Sequence, residues 1–203
     1  MSTLQTTFIQ KLGAGTDAFE IPANDGTSGQ YLQTDGTGGL SWGTLPAAGY
    51  TWLTTTSLSG SSSVTITGIN TDARDIIVVC SGVSGDSGGE FWMRAGNATI
   101  DTGNNYWWST YSSGVGRNWE NGVNAYKTTT SGYTGSGHTY SGHIRLSRSG
   151  ASGIWVISHV HGTTIDGPSM GGGFWSNTSA IGRLLFTPSS GSFDAGQITV
   201  GYF

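Results

Sequence analysis

Charge is what this chain has least of. Only 10% of its 203 residues are Asp, Glu, Lys or Arg, and just 8 of them are Lys or Arg. Those 8 are dispersed, so no basic face forms to neutralise a phosphate backbone, and no nucleic-acid partner is expected. Cysteine is limited to Cys80. A lone cysteine rules out a disulfide framework, and its place in the apolar run IIVVC marks a buried thiol. No apolar run approaches the roughly 20 residues of a membrane span, so no membrane insertion is expected. Residues 1–12, MSTLQTTFIQKL, lack the charged start and long apolar centre of a secretory signal, which points to synthesis in a cytosol. Helical periodicity is nearly absent too: Gly and β-branched residues interrupt every stretch with three-and-four apolar spacing.

What is present in excess is Gly, Ser and Thr, at 35, 27 and 28 residues, together 90 of 203. Such a composition suits a linker, but 8 Trp, 8 Tyr and 7 Phe supply enough apolar area for a real core. With charge scarce, the surface must be covered largely by Ser, Thr, Asn and Gly. Runs rich in β-branched and aromatic residues recur at 50–58, 63–69, 74–83, 89–96, 138–149, 152–162, 180–188 and 196–203, separated by Gly, Ser, Asn and Asp clusters. Several alternate. In SVTITGI, Val64 and Ile66 oppose Thr65 and Thr67; in HIRLSRS, Ile144 and Leu146 oppose Arg145 and Ser147. This is the pattern of half-buried antiparallel strands. The expected fold class is therefore all-β: an antiparallel β-sandwich of jelly-roll type over residues 49–203, preceded by an extended arm and short stem over residues 1–48.

The stem holds an internal echo. Residues 25–44 read DGTSGQYLQTDGTGGLSWGT, with Asp-Gly-Thr twice, ten residues apart. Turn, short strand and turn follow one another with few apolar residues to bury: Tyr31, Leu32, Leu40 and Trp42. Either this is a flexible linker, or it folds against copies of itself, three chains supplying one another's missing core.

The stretch GTSGQYLQTDGTGGLSWGT resembles a segment of tail-fibre and other virion proteins of tailed bacteriophages, of the form DGT-x-GQ-x-L-x-TDGTG-x-LSW. More loosely, GINTDARDIIVVCSGV, MRAGN and GSFDAGQITVGYF resemble strand-turn elements of phage fibre heads. The resemblance implies a structural, homotrimeric virion protein, attached to another virion protein through residues 1–24 and located in the virion. It does not distinguish tail from capsid.

Signs of catalysis are few. Of 12 carboxylates, Asp101 and Glu120 are the pair that could in principle act as acid and base, though turn-capping explains both. There is no Gly-x-Ser-x-Gly elbow and no phosphate-cradling loop before a helix. His159 and His161 flank Val160 on an expected strand and so share a face. They are weak metal candidates, since fibre tips of the resembling kind sometimes hold iron through His-x-His, against a polar face or inter-subunit contact. No cofactor is expected. The stretch 104–126, NNYWWSTYSSGVGRNWENGVNAY, reads as an aromatic loop. Tyr106, Trp107, Trp108, Tyr111, Arg117, Trp119 and Glu120, with Trp175 from a second Gly-rich loop at 166–177, are candidates for contact with a host glycan or protein. The alternative puts one of Trp107 and Trp108 in the core and the other in a subunit interface.

These observations lead to an expected non-enzymatic role: a homotrimeric fibre-like appendage whose head touches the host surface. The alternative is a capsid decoration protein that binds and stabilises the phage head.

Overall fold

The structure is a computed structural model that describes residues 8–10, 18–20, 22–37, 39–44, 49–87, 89–112, 116–123, 125–128, 138–150, 153–164 and 167–203; the side chains of 8–10, 18–20, 112, 116–119, 121 and 163 lie outside the description. The chain divides into two compact units, Met1–Gly49 and Tyr50–Phe203.

The first unit contains two hairpins. β1 (Phe8–Gln10) pairs antiparallel with β2 (Ala18–Glu20), and β3 (Gln30–Thr34) with β4 (Leu40–Thr44). The second Asp-Gly-Thr makes the β3–β4 turn. Asp35 Oδ1 accepts the amides of Thr37 (2.8 Å) and Gly39 (2.9 Å), and Gly36 takes φ +81°, a conformation that glycine adopts without strain. The first copy leads into a turn closed by Gln30 N donating to Thr27 O (3.0 Å).

The second unit is all-β among the described residues, and every strand pairing in it is antiparallel. Its strands are β5 (Thr51–Trp52), β6 (Thr56–Ser57), β7 (Val64–Thr67), β8 (Asp75–Gly85), β9 (Phe91–Gly96), β10 (Tyr106–Ser112), β11 (Gly116–Val123), β12 (Tyr126–Lys127), β13 (Tyr140–Arg148), β14 (Trp155–Thr163), β15 (Ser169–Trp175), β16 (Arg183–Pro188) and β17 (Phe193–Tyr202). Nine form one sheet in the order β11-β10-β15-β14-β13-β8-β17-β5, with β6 also on β17; four form another, β12-β9-β16-β7.

The two sheets face each other across one core. Phe91 of the small sheet meets Phe186 beside it and Tyr140 and Phe193 of the large one, with ring centroids 5.8–5.9 Å apart. Ala95 N donates to Tyr106 OH across the gap (2.8 Å). Alternation decides what enters: Ile76, Val78 and Cys80 of β8, and Ile144 and Leu146 of β13, are buried, while Val79 and Arg145 face out. Burial pushes the Cys80 thiol up to about 12.

Two stretches read as loops are strands. Within 104–126, Tyr106–Ser112 and Gly116–Val123 pair as β10 and β11 at the margin of the large sheet, and within 166–177, Ser169–Trp175 form β15. The run 50–58, read as one strand, is two short ones, β5 and β6. Between Ser169 and Trp175 the inner face of β15 carries only glycine, because its neighbours come close. A Cβ on Gly171 would lie 2.3 Å from Ser109 O and 2.7 Å from His159 Cε1; one on Gly173 would lie 1.9 Å from Trp107 O.

Candidate functional site

In the β3–β4 hairpin, register sorts the apolar residues. Leu32 lies opposite Trp42, and Thr34 opposite Leu40, so Leu32, Leu40 and Trp42 share a face. Tyr31 does not join them. It pairs with Gly43 on the other face, where its hydroxyl donates to Gln33 Oε1 (3.2 Å). Trp42 is held by a bond from its Nε1 to Asn24 O (2.7 Å) and packs on Gly26, where a Cβ would meet the indole at 2.6 Å. Leu32 stays 46% exposed. Of the ten strand residues, only Gly43 is buried.

The sandwich presents a second apolar surface, the outer face of the large sheet. β10 alternates strictly: Tyr106, Trp108 and Thr110 enter the core, while Trp107, Ser109 and Tyr111 do not. Tyr106, Trp108 and Trp175 are therefore buried, and these expected ligand contacts are corrected to core residues. Trp107 lies opposite Phe174 and stacks on it, with centroids 4.9 Å apart and planes at 8°. Val156 continues that row. Four residues along, beyond the small polar row of Ser109, Gly172 and Ser158, Tyr111, Met170, Val160, His143 and Val79 form a second row across five strands. Tyr111, Met170 and Val160 are 51%, 48% and 45% exposed. Apolar side chains contiguous on one face mark a contact surface more than scattered ones do.

Register places Trp119 opposite Ser109 and Arg117 opposite Tyr111, but both side chains lie outside the described residues. Glu120 is committed elsewhere: Lys127 Nζ binds its Oε1 (3.0 Å) and Glu90 Oε2 (3.1 Å), and lies over the Trp108 and Trp92 rings at 5.2 and 5.6 Å. Asp101 accepts four bonds from its own loop and from Trp175 and Asn177. Each carboxylate thus has structural partners of its own.

His159 and His161 do share a face, but it is the core face, neither a polar surface nor an interface. Both are wholly buried. His159 Nδ1 meets Tyr126 OH (2.9 Å) and Nε2 meets Thr110 Oγ1 (3.1 Å), so both nitrogens are used. Among the described residues neither ring nitrogen of His161 has a hydrogen-bond partner; the ring stacks on Tyr140 (6.0 Å, 16°) near Phe91. Burial, with the neighbouring imidazoles, lowers His159 to about 3; burial, with His143, lowers His161 to about 4. Both are neutral at pH 7. Among the described residues no group of three or more His, Cys, Asp and Glu is arranged to hold a metal.

The outward residues Val156, Val160 and Met170 were missed by sequence reasoning. A signal lay in WVISHVH, where Val156 and Val160 stand on the face opposite Trp155 and Ile157, so that both faces of the strand carry large apolar groups. Comparison of the chain with protein-family models, with curated proteins and with solved structures finds no match.

Proposed function

We propose that the chain is a structural protein of a tailed-phage virion. It is a homotrimeric fibre-like appendage, tethered to another virion protein through residues 1–24, whose β-sandwich contacts the host surface. One observation carries this reading. The β3–β4 hairpin gathers Leu32, Leu40 and Trp42 on one face and buries almost nothing. An isolated two-stranded ribbon is marginal in water, and three such faces turned to a common axis would shield one another. The resemblance of residues 25–44 to phage fibre segments agrees with this arrangement. The outer face of the large sheet supplies aromatic and apolar groups for contact, and no constellation for catalysis stands among the residues the sequence offered.

The test is the mass of the full-length chain by sedimentation equilibrium. A trimer is expected, and a variant carrying Leu32→Asp and Trp42→Asp should run as a monomer while the thermal unfolding of its β-sandwich stays unchanged. A monodisperse wild-type monomer would overturn the reading. Gold-labelled antibody should then mark the tail of intact particles; label spread over the head would instead make the protein a capsid decoration.

A further inference from the structure

A polar cleft of about 310 Å³ lies where the β9–β10 loop (residues 97–105) meets the segment after β15. Asn97, Thr99, Asp101, Thr102, Asn177 and Ser179 line it, with main chain of the loop between them. The loop is a built structure. Asp101 N donates to Ala95 O (2.8 Å), Gly182 N to Gly96 O (2.9 Å), and Arg183 Nε to Asn97 O (2.9 Å).

Asp101 is its hub. Oδ2 accepts from Trp175 Nε1 (2.7 Å), Asn105 Nδ2 (2.9 Å) and Asn177 Nδ2 (3.2 Å), whereas Oδ1 accepts only the Gly103 amide (2.8 Å). A carboxylate oxygen takes about two such bonds. Oδ1 therefore keeps one acceptor position, held in place by four donors. Asn177 Nδ2 keeps its second hydrogen, and among the described residues the hydroxyls of Thr99, Thr102 and Ser179 have no hydrogen-bond partner. Burial raises the Asp101 pKa, but the bonds from Trp175, Asn105, Gly103 and Asn177 outweigh it, so the group is ionised at neutral pH.

These features choose among ligands. The donors converging on Asp101 occupy the space a cation would need, and their hydrogens would repel one. No Lys, Arg or His is among the lining residues, and the carboxylate disfavours a phosphate or other anion. The lining offers little to seat an apolar peptide side chain: apart from Ala98 and Ile100 it is mostly polar, and Trp175 is wholly buried and offers only its bonded edge. What remains is a ligand that both donates and accepts many neutral hydrogen bonds. The volume is at the small end of the roughly 300–1,000 Å³ typical of small-molecule sites.

We propose that this cleft binds one pyranose unit of a neutral saccharide, with Asp101 Oδ1 accepting a sugar hydroxyl and Asn177 Nδ2 donating to another. The assignment rests on the host-contact reading of the sandwich and gives it a ligand class and a place.

The test titrates the full-length protein with glucose, galactose, mannose and N-acetylglucosamine, and with a printed panel of neutral oligosaccharides. Calorimetry and tryptophan emission are the readouts, since the Trp175 indole is bonded to the hub. At least one saccharide should bind. Asp101→Asn, which replaces a charged acceptor with a donor, should weaken it about tenfold or more. Because that change also touches the loop's own bonds, Ala98→Tyr and Thr102→Tyr, at exposed cleft-lining positions, serve as second variants. Each should abolish binding without moving Tm. Saccharide binding that survives both tyrosines, or no saccharide bound by the wild type, overturns the assignment. Trimer mass and adsorption to cells, measured on the same samples, separate the two proposals. A trimer that adsorbs to cells while binding no saccharide refutes the cleft and leaves the appendage reading standing. Adsorption lost after protease treatment of the cells but kept after periodate treatment points to a protein receptor and likewise refutes the cleft.

Discussion

Acid should unfold the sandwich through two imidazoles. In the unfolded chain a histidine titrates at 6.5, while folded His159 and His161 are held down to about 3 and about 4 by burial and neighbouring imidazoles. The unfolded state therefore binds protons first as the pH drops. Stability is whole above 6.5 and is lost progressively below it, until the folded values are reached. A pH of about 5 lies roughly 1.5 below the unfolded pKa of each histidine, which corresponds to about 2 kcal/mol per group, or about 4 kcal/mol for the pair. Against a typical total of about 5–15 kcal/mol that is a large fraction. Asp75 and Asp101 do not confuse the measurement, because lowered carboxylates act below their unfolded value of 3.8. The assay is urea unfolding followed by tryptophan emission at several pH values between about 7.5 and 5. The discriminating variant is His161→Phe, since His161 sits among aromatic rings and gives up no hydrogen bond. About half of the pH dependence should vanish in it. If His161→Phe falls in stability between pH 7.5 and 5 as much as the wild type does, His161 is not a buried neutral group, and the burial argument is wrong.

Neighbouring tryptophans should behave in opposite ways. Trp108→Ala should cost about 3–5 kcal/mol in chemical denaturation, as expected for a large core side chain, whereas Trp107→Ala should cost under about 1 kcal/mol and reduce adsorption to cells. Cys80 should resist thiol reagents in the folded protein, with labelling no faster than global unfolding; faster labelling would place the thiol at the surface. Asp75 accepts Arg145 Nε (2.9 Å), Ser147 Oγ (2.5 Å) and the Tyr50 hydroxyl. Asp75→Ala should destabilise by about 1–2 kcal/mol, discounted because Arg145 is half exposed. A loss under about 0.3 kcal/mol would show that water replaces the carboxylate.

Strands were legible wherever apolar and polar residues alternate, as in β7 and β13, since that pattern is the physical cause of burying one face. It failed where polar side chains go inward. Thr110, Thr128, His159, His161 and Ser169 lie between the sheets, and Thr110, Thr128, His159 and Ser169 bond to one another or to nearby hydroxyls and carbonyls. A reading that sends polar residues to solvent therefore mistakes β10 and β15 for loops. The aromatic cluster was legible as composition but not as geometry: only the partner strands decide that Trp107 meets Phe174 while Trp108 meets Lys127. The Asp101 cleft was out of reach for a related reason. Asn177 and Trp175 lie 76 and 74 residues away from Asp101 along the chain, and no local spacing announces that they converge.

The glycines of β15 carry a consequence for anyone scanning this gene by saturation mutagenesis. Even alanine at Gly171 or Gly173 would thrust a methyl into the backbone of the adjoining strand. Both codons should thus show the near-total intolerance usually taken as the fingerprint of a reactive centre. In a tolerance map the stretch SMGGGFW would look like chemistry, although what is being selected there is emptiness.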